Sequence, residues 1–112
     1  MNRAITKSVA ILFAHIIKMD KRDIEKSVPM FCKVMGENFE ATEEQVKELL
    51  YRVMDEEYDL DVHIEHINKA LCEDTISKYH LLEQLNHLIY SDTITKEDYK
   101  YFEDIKNRLL VC

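Results

Sequence analysis

Glycine and proline are almost absent from this sequence, which has one residue of each among 112 and no tryptophan. Tight hairpins, barrel corners and glycine-rich phosphate loops depend on glycine, so the sequence excludes folds built from them. No segment alternates apolar and polar residues over the length of a strand. The length suits a single domain over residues 1–112, and this residue stock predicts an all-α fold.

Positive charge is also scarce, with 15 basic against 22 acidic residues and a formal charge of −7. A phosphate polymer would be repelled on average, and no cluster of Lys and Arg offers a local exception. We therefore expect no nucleic acid partner.

The three cysteines, Cys32, Cys72 and Cys112, cannot all pair within one chain, and none belongs to a Cys-x-x-Cys pair. A disulfide framework or a four-cysteine zinc site is therefore not indicated. Reduced thiols in the cytoplasm are the simplest interpretation.

The one long apolar run, residues 9–17, is shorter than the roughly 20 residues that cross a bilayer. His15 interrupts it, and no small-residue cleavage site of a secretion signal follows. Its apolar residues repeat at helical spacing, which predicts a buried first helix and no membrane span.

Apolar periodicity and capping residues predict six helices. The first covers about 2–19, and the second begins near Asp23, or at Ser27 if Pro29 belongs to a first turn. Gly36 is a plausible C-terminal cap for this second helix. The expected core residues are Leu12, Ile16, Phe31, Leu49, Val53, Ile67, Leu85 and Phe102.

Helix starts mark the remaining segments. Thr42 with Gln45 has the spacing of a capping box, and Asp74 can cap the fifth helix. Thr95 with Asp98 repeats that spacing before the last helix. Two apolar helices each end at a short acidic turn and lead into an amphipathic helix, which suggests a bundle built from two pseudo-repeated hairpins.

Three stretches of the chain resemble the TerB-like family, the helical module of tellurite-resistance TerB proteins and of DjlA-type co-chaperones. They are IIKMDKR (16–22), YDLD (58–61) with the isoleucines that follow, and LIYSDTITKED (88–98). The first and third resemble the family's alanine-aspartate-glycine turns. Lys21 stands where the first turn has glycine, and residues 91–93 contain none.

The resemblance implies an all-α bundle without known catalytic activity, associated with stress-response or chaperone systems. No J-domain signature follows, so the co-chaperone activity itself is not expected. The resemblance also implies a protein partner, which it does not identify, and no cofactor.

The cluster whose composition most resembles a metal or catalytic site is Asp59, Asp61, His63 and His66. Histidines three residues apart lie on one helix face and can share a metal ion, with a carboxylate completing the set. Alternatively, these acidic residues only favour the positive end of a helix dipole at a solvated helix start. The zincin spacing His-Glu-x-x-His is absent. A small metal-dependent enzyme or metal-binding protein remains the alternative function.

Asp20, Asp23 and Asp92 lie in the two acidic turns. They either accept backbone hydrogen bonds within the turns or form an acidic interaction surface at the hairpin ends. His15 is either a hydrogen-bonded histidine at the core edge or a pH sensor. The sequence thus predicts a non-enzymatic, cytoplasmic interaction or sensing module.

Overall fold

A computed structural model describes residues 3–19, 24–90 and 96–110. Apart from a short 3-10 turn at Arg3–Ile5, its regular elements are six α-helices, with no strand in these ranges. They are α1 (Thr6–Met19), α2 (Ile24–Phe39), α3 (Glu43–Asp55), α4 (Leu60–Ala70), α5 (Thr75–Tyr90) and α6 (Lys96–Leu110). The all-α prediction is confirmed.

Helix α1 lies at the centre of the bundle and contacts α2, α3, α4 and α5. It has almost no polar face, because every residue from 8 to 14 is buried. A helix that is apolar all round must be covered on all sides. The apolar run of residues 9–17 is therefore core, and no helix in the described part of the chain is long and apolar enough to cross a membrane.

The other helices bury one face each against α1 and one another, with α2 against α3 and both α4 and α5 against α6. Six of the expected core residues are fully buried: Leu12, Ile16, Phe31, Val53, Ile67 and Leu85. Leu49 and Phe102 are only partly buried, at the edge of the core. In α3 the buried positions are Val46, Leu50 and Val53, so Leu49 lies on the flank.

Helix α2 starts at Ile24 and not at Ser27, and it continues through Pro29. Proline lacks the N–H that would bond the carbonyl of Glu25, four residues before it. Pro29 is exposed, where its ring does not displace core side chains.

The prediction that Gly36 caps α2 is wrong. The helix continues to Phe39, and no glycine has a positive φ. The left-handed residue is Glu40, at φ 55°, and its N–H donates to the carbonyl of Gly36 at 3.0 Å. A carboxylate side chain thus occupies a position that glycine favours after a helix.

Two of the predicted caps are confirmed. Thr42 and Gln45 form a reciprocal capping box, with N–H to side-chain oxygen distances of 3.3 and 3.1 Å. Asp74 accepts the N–H of Ser77 at 3.0 Å and its hydroxyl at 2.7 Å. These bonds hold the pKa of the Asp74 carboxyl below its usual range. Thr95 lies outside the described residues.

Two substitutions test the end of α2. Gly36→Ala should stabilise the chain by about 0.5–1 kcal/mol, because glycine is costly inside a helix. An added Cβ would only touch the carbonyl oxygen of Ala41, at 3.8 Å. Glu40→Gly should also stabilise, by about 0.5–1 kcal/mol, by relieving the left-handed strain. Urea unfolding measures both.

Glu40→Ala is the matched control, because it removes the charge and keeps the strained φ. It should stabilise less than Glu40→Gly. Loss of stability in Gly36→Ala would show that Gly36 terminates the helix after all.

Candidate functional site

The few polar residues of α1 lie along one side of the helix. We call Lys7, Ser8, His15 and Lys18 the α1 polar stripe. They form two pairs, residues 7 and 8 and residues 15 and 18, and the seven to eleven residues between the pairs return them to the same side of the helix. This stripe faces residues 56–66, which comprise the connection between α3 and α4 and the first turns of α4.

Ser8 is the most deeply buried member, with 2% of its surface exposed. Its Oγ lies 2.9 Å from Nδ1 of His63 and 3.1 Å from Nδ1 of His66. A hydroxyl carries one proton, so when both imidazoles are neutral it donates to one and accepts from the other. The two histidines must then adopt opposite tautomers.

The surroundings of His63 disfavour its positive charge. Burial is the main cause of its lowered pKa, followed by the neighbouring Lys7 and His66. Asp59 and Glu56 act in the opposite direction but do not reverse the shift. Neutral His63 is therefore the form that this packing favours.

His15 joins a second cluster on the same stripe. Its Nδ1 lies 2.8 Å from the hydroxyl of Tyr58, and its ring stacks on Tyr101 with centroids 5.3 Å apart. Lys18 Nζ lies 4.8 Å above the Tyr58 ring, a cation–π contact. Burial and the charge of Lys18 lower the pKa of His15. The alternative of a hydrogen-bonded histidine at the core edge is confirmed.

Tyr101 closes this cluster from α6. Burial, with a smaller contribution from Tyr58, raises the pKa of its phenol well above the ordinary value. Its buried hydroxyl has no hydrogen-bond partner within the ranges that the structure describes. Tyr101 is thus held in this cluster by ring packing, whereas His15 and Tyr58 are also joined by a hydrogen bond.

Both lysines of the stripe reach Glu56. Lys7 Nζ lies 3.1 Å from the carboxylate, and Lys18 Nζ donates to the main-chain carbonyl at 3.3 Å. The connection after α3 is therefore attached to α1 by two lysines and by the Tyr58–His15 contact.

The four predicted metal ligands do not converge on one point, because the two aspartates have partners other than the Ser8 hydroxyl that the histidines share. Asp59 caps α4 by accepting the N–H of Asp61 at 3.1 Å. The Asp61 carboxylate pairs with Arg108 of α6 at 2.7 Å. His63 and His66 turn their Nδ1 atoms toward Ser8. Across residues 3–19, 24–90 and 96–110, no three Asp, Glu, His or Cys side chains are grouped to hold a metal ion.

The three aspartates proposed for interaction, Asp20, Asp23 and Asp92, lie outside the described residues. The two turns that carry the TerB resemblance lie largely there as well. Sequence reasoning missed Ser8, Lys7, Lys18 and Tyr101. For the three residues of α1, the sequence did contain a signal: the few polar residues of this apolar helix fall on one side of it.

A groove of about 550 Å³ lies between α2 and α3. Its lining residues are Glu25, Val28, Pro29, Cys32, Glu43, Lys47 and Tyr51. The Tyr51 hydroxyl donates to Glu25 at 2.9 Å and so links α3 to α2 at this groove. The expectation of reduced cysteines holds for Cys32, a free thiol, and is wrong for Cys72, which is disulfide-bonded.

Charge is distributed very unevenly along the chain. Residues 37–61 contain ten acidic and two basic side chains, a formal charge of −8. The other 87 residues together carry +1. Eight of the ten carboxylates lie on α3 and the connections on either side of it, and the other two, Glu37 and Asp61, lie at the adjoining ends of α2 and α4. All ten are exposed or partly exposed. We call this surface the acidic face.

Comparison with family models, with curated proteins and with solved structures yielded no match. The resemblance to the TerB-like family therefore stays a prediction.

The lowered pKa values of His15 and His63 predict a pH-dependent stability. Both lie below the ordinary value of 6.5, so the unfolded chain takes up protons first as pH falls. Stability should be complete above about pH 6.5 and fall toward pH 5. Urea midpoints measured from pH 8 to pH 5 should show this slope.

His15→Gln and His63→Gln should each flatten that slope, whereas His87→Gln should leave it unchanged. His87 is exposed and its Nε2 lies 3.9 Å from Glu83 of the same helix. If neither His15→Gln nor His63→Gln changed the slope, the assignment of the slope to these two histidines would be contradicted. The pH range from 8 to 5 lies above the pKa of ordinary carboxyls, so the Asp74 cap does not contribute to the slope.

Divalent ions should not stabilise the segment of residues 55–61, because Asp59 and Asp61 already serve α4 and Arg108. Calcium and magnesium should raise Tm no more than sodium chloride at matched ionic strength, and zinc only weakly. An ion-specific, saturable rise that disappears in Asp59→Asn/Asp61→Asn would contradict this.

Proposed function

We propose that this chain is a non-enzymatic interaction module whose partner is a basic segment of another protein. The observation that carries the proposal is the acidic face. Four of its ten carboxylates pair with a lysine or arginine. Repulsion among the others is relieved when a cationic partner binds, and complementary charge also speeds association.

The groove between α2 and α3 adjoins this face and supplies apolar contacts. Val28 and Pro29 line it from α2, and Tyr51 from α3. Glu43 lies both on its rim and on the acidic face. A segment with apolar side chains on one side and lysine or arginine on the other would match the groove and the carboxylates together.

An enzymatic role finds less support. A nucleophilic serine must reach substrate, and Ser8 is buried beneath the histidines that would activate it. The alternative metal-dependent enzyme requires Asp59, Asp61, His63 and His66 to meet at one point. Only the two histidines meet, at Ser8, whereas Asp59 bonds the α4 backbone and Asp61 pairs with Arg108.

The TerB resemblance supports the same class of function and suggests a stress-response or co-chaperone-associated system. A cytoplasmic location is part of the proposal and rests on composition. The disulfide-bonded Cys72 bears against it, since cytosolic disulfides are rare. Alkylation of Cys72 in freshly lysed cells, read by mass spectrometry, decides between the two.

The proposal is tested with a synthetic amphipathic helical peptide of leucine and lysine as the probe. Its binding should weaken about tenfold in Glu43→Lys/Glu44→Lys/Glu48→Lys, because three favourable charges become repulsive. Calorimetric titration at low and high salt measures the Kd, and affinity should fall as salt rises.

Glu73→Lys/Glu83→Lys/Glu97→Lys is the matched control, with the same charge change at exposed positions outside the acidic face. It should weaken binding by less than about threefold. Equal losses in the two variants would reduce the effect to net charge, and absence of binding to the unmodified chain would contradict the proposal.

A further inference from the structure

The connection between α3 and α4, residues 56–59, has few backbone hydrogen bonds to hold it in place. Within it, Glu56 N–H bonds back to Arg52 in α3, and the Asp59 carbonyl accepts from His63 in α4. Its position against α1 depends on side-chain contacts with the α1 polar stripe. A segment with few backbone bonds and an exposed surface opens more easily than the core.

Imidazoles form a large part of that attachment. His15 bonds Tyr58 in the connection itself, and His63 and His66 bond Ser8 one turn further along. The remaining attachments are the two lysine contacts with Glu56.

We propose that these histidine contacts form a pH-sensitive latch, which holds the α3–α4 connection and the start of α4 against α1 when the imidazoles are neutral and releases them when the imidazoles are protonated. The latch goes beyond the proposed binding function and stands whether or not the acidic face binds a basic segment.

Protonation adds positive charge where positive charge is already present. On the α1 side, Lys7 faces His63, and Lys18 lies one turn from His15. Within α4 a charged His63 meets His66 across the shared Ser8 hydroxyl.

Negative groups oppose this repulsion only in part. Glu56 and Asp59 face His63 from the connection, but Glu56 is already paired with Lys7. From α6, the ring of Tyr101 covers His15, and Asp104 and Arg108 lie near that tyrosine.

Asp61, the remaining carboxylate at this end of α4, is engaged by Arg108. Asp59 offsets part of a positive charge on His63, but burial, Lys7 and His66 outweigh it. At His15, burial and Lys18 both disfavour the charge. The lowered pKa values of these two histidines have the direction that this arrangement requires.

Release of the connection would also move part of the acidic face. Glu56, Glu57 and Asp59 belong to the attached segment, whereas Glu43, Glu44 and Glu48 lie on α3. Acidification would thus alter the geometry of the negative surface without unfolding the bundle.

Hydrogen exchange of the full chain, measured by NMR at pH 7.5 and pH 5.5 and corrected for the intrinsic rate, tests the latch. Amides of residues 60–66 should lose protection at least about threefold more than those of residues 81–89 in α5. Equal losses in the two segments would show only global destabilisation and would overturn the proposal, as would the absence of any loss.

His15→Gln/His63→Gln/His66→Gln should abolish the difference, since glutamine keeps a polar side chain that does not titrate. His80→Gln/His87→Gln, which changes two exposed histidines of α5, should retain it. A difference that persists in the triple variant would exclude these imidazoles as its source. If the triple variant does not fold, His63→Gln alone should diminish the difference, because burial, Lys7 and His66 disfavour the charge of His63.

Discussion

The burial of α1 on all sides is the constraint on which the rest of this structure depends. A helix with apolar residues around its whole circumference cannot remain at a surface, so the other helices must enclose it. Each buried side chain of the size of Leu12 or Phe13 contributes about 1.5–3 kcal/mol through its removal from water. The order of packing around α1 follows from that requirement.

The same burial places unusual demands on the few polar groups of α1. A buried hydroxyl without a partner costs free energy, and Ser8 meets this demand through two imidazoles of α4. His15 finds Tyr58 and Tyr101. The lysines at the two ends keep their charged groups near the surface, where both meet Glu56. The position of the α3–α4 connection thus follows from the hydrogen bonds and ion pairs that the polar residues of α1 require.

The outer surface follows a different principle. Carboxylates are concentrated on α3 and the connections on either side of it, whereas the rest of the chain is nearly neutral. Such a distribution adds little to the stability of the bundle, and its repulsion is a cost that solvent and salt partly offset. A separation of charge that folding does not require is most simply explained by a role in recognition. In the proposed latch, the histidines at the α4 end of this face connect its geometry to pH.

The sequence by itself determined the helical class, the buried first helix, most of the core and the caps at Thr42 and Asp74. These features depend on local periodicity and on side chains that bond their own backbone within a few residues. It misassigned the end of α2, because the left-handed residue proved to be Glu40 and glycine is only the commonest choice there.

The tertiary structure alone decided what the polar residues do. Asp59, Asp61, His63 and His66 are close neighbours in the sequence and share the composition of a metal site. Asp59 caps its own helix, but the partners of the other three, Ser8 and Arg108, lie more than forty residues away along the chain. No local pattern encodes such a pairing, because it depends on how α1 and α6 pack against α4.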